Sequence, residues 1–116
     1  MVLVTKEAHC LGDLLIRCSF GEVNAEIQAV IGNRDTLKDM VEAHGIPFHY
    51  IPADDLERDV HEEQVLEVLD RYDPEYLVLA KYMRILNPGF VQRYPNRIIN
   101  IHHSFLPAFI LSLIHI

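Results

Sequence analysis

At 116 residues, half of them hydrophobic, the chain holds enough for one core and too little for two. Its 17 acidic and 10 basic residues give a net charge of −7 with no Lys/Arg block, which argues against nucleic acid or an anionic membrane as main partner and leaves room for a small anionic ligand. Cys10 and Cys18 are the two cysteines. With no signal-like segment ahead of them they read as reduced thiols in a cytoplasmic protein, and neither is expected to be a nucleophile.

Val2–Val4 is a short apolar run that stops at Thr5–Lys6 and predicts a first strand. Leu11, Leu14, Leu15 and Cys18 then fall at i, i+3, i+4 and i+7 on one helical face, with Gly21 placed to end the helix. Ile27–Ile31 is the next β-rich run, closed by Gly32–Asn33, and Leu37, Met40, Val41 and His44 repeat at helical spacing before Gly45, a C-cap. Pro47–Ile51 predicts a third strand. Arg58–Tyr72 predicts a longer acidic helix with Val60, Val65, Leu66, Val68, Leu69 and Tyr72 inward, broken at Asp73–Pro74. Residues 76–80, YLVLA, carry no polar alternation, which suits a strand covered on both faces of a parallel sheet. A short helix near Pro88–Arg93 and a strand at Ile98–Ile101 complete the pattern. The apolar tail FILSLIHI is far short of the roughly 20 residues a membrane span needs.

Strands alternating with helices of these lengths imply βαβ units in an α/β fold, a doubly wound, open and mainly parallel sheet. In such a sheet ligands sit beyond the carboxyl ends of the strands. Three polar clusters fall there, at Thr5–Asp13, Lys81–Leu86 and His102–Ser104, and they are expected to converge on one crevice.

Asn100 and His102 are two apart, so an extended chain projects them to the same side. An amide that can donate to a developing oxyanion beside an imidazole that can move a proton suits acyl chemistry. The bland alternative is a turn-capping Asn and a satisfied surface His. His102–His103 with His9–Cys10 makes a poor zinc site, because neighbouring histidines on an extended chain point to opposite faces and no usual ligand spacing occurs, so no metal or other cofactor is expected. His44, His49 and His61 read as structural residues on helix or strand surfaces. The segment KYMRIL, residues 81–86, is either a connector whose Met and Leu plug the core or a loop that holds a flat heteroaromatic ligand. The first strand is followed by TKEAHCLGDLL, with no glycine-rich loop to cradle a phosphate, which weakens dinucleotide and nucleoside-triphosphate readings.

The stretches NIHHSFLPAF, LAKYMRIL and VTKEAHCLGDLL resemble the formyltransferase-like domain of the formyltetrahydrofolate deformylase family, collinearly from about Val2 to Ile110. The Asn-x-His-x-Ser-x-x-Pro core is shared with glycinamide ribonucleotide formyltransferase and other 10-formyltetrahydrofolate enzymes. His103, where transferases usually carry Pro, the KYMRIL variant and the lack of a phosphate loop favour the deformylase branch. The resemblance implies hydrolysis of 10-formyltetrahydrofolate to tetrahydrofolate and formate, which supplies formate for purine synthesis. It assigns Asn100 to the oxyanion and His102 to general acid/base work. Met83, Arg84, Ile85 and Leu86 would line the pterin pocket largely through backbone groups, with His103 and Ser104 in support. The partners implied are a small-molecule folate and water, in a parent protein that is a candidate homo-oligomer.

Two departures accompany the resemblance. The chain begins at the first strand, without the small regulatory domain usual in the family. The match covers residues 1–110, and residues 111–116, LSLIHI, fit nothing in the family and read as a non-native tail in which His115 has no function. The expected aspartate partner of the histidine lies past the match, so this stretch of the domain is expected to be inactive by itself. The alternatives are a glycinamide ribonucleotide formyltransferase or related transferase, and a non-catalytic folate-binding fragment.

Overall fold

A computed structural model describes residues 1–52, 58–82, 86–103 and 111–115. The strands β1 (Val2–Val4), β2 (Val30–Gly32), β3 (Phe48–Tyr50), β4 (Leu77–Ala80) and β5 (Ile98–His103) alternate with α1 (Ala8–Ser19), α2 (Lys38–Ala43), α3 (Arg58–Tyr72) and α4 (Pro88–Gln92). A last strand, β6 (Leu111–His115), pairs antiparallel with β5 from Ile99↔His115 to His103↔Leu111. The sheet order is β3-β2-β1-β4-β5-β6, with the first five strands parallel. The mainly parallel doubly wound α/β sheet expected from the sequence is therefore present, and β6 is an addition to it.

Side chains alternate across the short central strands, so each strand feeds two cores. Leu3, Ile31, Leu77, Leu79 and Ile98 pack with Val65, Val68 and Leu69 of α3 and with Phe90 and Tyr94 at α4. Val2, Val4, Val30, Ala80 and Ile101 face the other way, onto Cys10, Leu11 and Leu15 of α1 and Val41 of α2. Leu3, Val4, Leu11, Val41, Leu69 and Leu77 are wholly buried, each contributing roughly 1.5–3 kcal/mol of transfer free energy. Gly21 and Gly45 follow α1 and α2 at φ 75° and 74°, in the left-handed conformation their positions predict.

Three expectations need correction. The second strand starts at Val30 rather than Ile27, because β1 offers only Val2–Val4 to pair with and Val2 stands opposite Val30. Val60 is 40% exposed, not inward. The inward stripe of α3 runs through His61, Val65, Val68 and Leu69, and Val60 lies about 100° of helix away from its start. His61 is accordingly not a surface residue; it is 1% exposed, and its Nε2–H donates to the Ile51 carbonyl at 3.0 Å. His44 does lie exposed at the end of α2, donating from Nδ1 to the Met40 carbonyl. Among the described residues no helix is long and apolar enough to cross a membrane.

Candidate active site

The strand order reverses between β1 and β4, the place where an open α/β sheet parts its connections and leaves a crevice. Val4 stands opposite Ala80, and Ala80 opposite Ile101. The residues that follow, Thr5 and Lys81 just past their strands and His102 still within β5, thus lie on three neighbouring strands at one end of the sheet. The connection from β1 to α1 is only Thr5–Glu7, and α1 starts at Ala8.

Lys81 leaves β4 at φ 53°, a left-handed conformation uncommon for a residue with a side chain, while its N–H still donates to the Ile101 carbonyl at 3.2 Å. Such outliers gather where a loop must be aimed rather than merely closed. Tyr82 is buried and Leu86 packs against the α3–α4 core, so the connection is anchored at both ends. Met83, Arg84 and Ile85 lie between those anchors, outside the described residues, and so does Ser104.

Asn100 sits in the middle of β5, paired with Leu79 on one side and Ile114 on the other. Ile98 belongs to the α3–α4 core and Ile101 to the α1–α2 core, so alternation turns Asn100 to the α3–α4 side of the sheet. Its Oδ1 is buried and, among the described residues, accepts no hydrogen bond. An amide oxygen buried in this way costs stability, so strand packing alone does not account for the residue. The strand backbone continues unbroken through His102 and His103, opposite Ser112 and Leu111.

Burial pushes the half-buried Cys18 thiol above its ordinary range, which disfavours the nucleophilic thiolate. Cys10 is buried, with its thiol 3.7 Å from the Ile101 carbonyl. Among the described residues no group of three His, Cys, Asp or Glu is arranged to hold a metal ion. A groove of about 760 Å³ opens on the α1 side of the sheet, lined by Leu14, Cys18, Val78 and Ile99. It runs from Met1 and Tyr76 at the amino ends of the strands to Cys10, Asp13 and Ile101, next to the edge where Thr5, Lys81 and His102 lie.

Sequence reasoning missed Glu62, a buried carboxylate whose Oε1 accepts the backbone N–H of Asn87 at 2.8 Å. The signal was available: His61 and Glu62 stand four residues before Val65 and Leu66, one helical turn up the same faces.

A family model described as formyl transferase matches residues 1–111. The formyltetrahydrofolate deformylase of Haemophilus influenzae is 59% identical over 110 residues, 95% of this chain and 40% of that protein. The chain thus spans about two fifths of the length of that curated relative. The crystal structure of a formyltetrahydrofolate deformylase from Pseudomonas syringae pv. tomato superposes with a TM-score of 0.82 at 39% identity, covering 93% of this chain and 36% of that one. Glycinamide ribonucleotide transformylase 1 from Symbiobacterium toebii gives a TM-score of 0.80 at 28% identity, over 93% of this chain and 52% of that one. Strand order, the Asn-bearing β5 and a match over nearly the whole chain agree, and the chain belongs to the formyl transferase family.

Proposed function

We propose that the chain supplies the folate-binding and formyl-activating part of a hydrolase that converts 10-formyltetrahydrofolate and water to tetrahydrofolate and formate. In this reading the Asn100 amide donates to the oxyanion as water adds to the formyl carbon, and His102 takes the water's proton and returns one to the departing N10. Met83, Arg84, Ile85 and Leu86 hold the pterin, and His103 and Ser104 support the loop after β5. No metal or cofactor is needed for this addition and elimination. The substrate implies a cytoplasmic protein with a small-molecule folate partner.

The observation that carries water as acceptor is the three-residue connection Thr5–Glu7. It leaves no glycine-rich loop to hold the phosphate of a phosphorylated amine, which a ribonucleotide transferase must bind. The 59% identity to a deformylase supports the same choice.

The test is to follow formate release from 10-formyltetrahydrofolate by the full-length gene product and by the 116-residue chain. Hydrolysis by the former is expected to fall about 10²–10⁴-fold in His102→Ala and about 10²–10³-fold in Asn100→Ala, with folate still bound. The 116-residue chain is expected to bind folate without turnover, since the carboxylate that would orient His102 is expected outside it. Formyl transfer to glycinamide ribonucleotide in preference to water would replace the hydrolase by a transferase. A clear rate from the 116-residue chain, lost in His102→Ala, would overturn its inactivity.

A further inference from the structure

The connection between β4 and α4 is held at its exit by a residue far away in sequence. Glu62 lies in the second turn of α3, 7% exposed, and its carboxylate takes the Asn87 N–H at 2.8 Å. Asn87 begins α4, and its own side chain makes no capping bond to that helix. Next to Glu62, His61 ties the same part of α3 to the Ile51 carbonyl just beyond β3. The carboxylate therefore acts from a fixed base. A buried carboxylate is retained only where what it binds repays its desolvation, and a single backbone N–H at a loop exit is a modest structural return.

We infer that Glu62 is a positioning residue for the folate-binding loop, setting where Leu86 stands relative to β5 through its bond to Asn87. This rests on the reading of Met83–Leu86 given under Proposed function. The Lys81 N–H fixes the entrance of the connection on Ile101, one residue before His102, and Glu62 fixes its exit. With both ends set, the pterin is delivered at one distance from the reacting end of β5. Glu62 touches neither reacting atoms nor, on this reading, the folate itself.

Three variants separate the tether from simple folding. Glu62→Ala takes this acceptor away from the half-buried Asn87 N–H, whereas Glu62→Gln keeps an acceptor oxygen of the same reach. Asn87→Pro deletes the donor instead, and Asn87 already has φ −68° and ψ 150°, values a proline before Pro88 can adopt. Tetrahydrofolate binding by calorimetry and the kinetics of 10-formyltetrahydrofolate hydrolysis would be measured on the full-length gene product. Glu62→Ala and Asn87→Pro are expected to raise Kd and KM about tenfold with kcat within about twofold, and Glu62→Gln to recover most of the loss. Unchanged Kd and KM in folded Glu62→Ala or Asn87→Pro would overturn the assignment, as would a loss confined to kcat. Failure of the unsubstituted protein to bind tetrahydrofolate would instead sink the folate reading itself.

Discussion

His49 on the edge strand β3 has its Nε2 2.8 Å from the Tyr72 hydroxyl and its ring edge-on to the tyrosine, centroids 5.5 Å apart. Burial holds its pKa below the ordinary 6.5, and the nearby Arg71 charge pushes the same way. The unfolded chain therefore takes up the proton at a higher pH than the folded one. Stability that is full above about 6.5 is lost as the pH falls through that value toward the lower folded-state one. His49→Phe is expected to flatten the fall in Tm between about pH 7 and about pH 5, read as the difference between the two proteins. Parallel Tm profiles would show that His49 does not carry this dependence. At this scale the sequence was uneven. The place of Asn100 in a strand was legible because a polar residue in an apolar run stands out, while buried His61 and Glu62 were masked by the acidic, solvated look of the helix around them.

Element boundaries were legible where an apolar run ended in a breaker and less so where pairing decided. Ile27 looked like strand, but β1 has only three residues to offer, and β2 is trimmed to match. Gly32 closes β2 for a reason that the sequence did not reveal. A Cβ built there would lie 2.5 Å from the Phe48 ring of β3 and 2.7 Å from the Arg34 carbonyl. The ring can shift a little, but the backbone oxygen cannot without unseating the turn after β2. Gly32→Ala is therefore expected to cost about 1–3 kcal/mol in chemical denaturation. Adding Phe48→Leu should return the part due to the ring and not the part due to the carbonyl. A Gly32→Ala protein as stable as the original would mean that the β2–β3 edge yields more easily than its packing indicates.

The whole molecule has a property that no local pattern carries, since alternation of strands and helices fixes βαβ units but not that β1 ends up between β2 and β4. That placement makes the two cores share their walls: Leu3 belongs to one, while Val2 and Val4 belong to the other, on a strand of three residues. Neither core can loosen without removing the sheet that backs its opposite. Leu69→Ala opens the α3–α4 side and Leu11→Ala the α1–α2 side, each at a wholly buried site, and each is expected to cost about 2–5 kcal/mol. Of the five tyrosines, Tyr72, Tyr82 and Tyr94 pack on the α3–α4 side while Tyr50 and Tyr76 are already exposed, so the change in tyrosine fluorescence reports that core, whereas far-UV circular dichroism reports all the helices. In both variants the two signals should fall together in one transition, because the sheet couples them. If Leu11→Ala lost helix signal well before the tyrosines moved, the α1–α2 layer would be a separate unit of stability, and the carboxyl-end crevice could then be rearranged from one side alone.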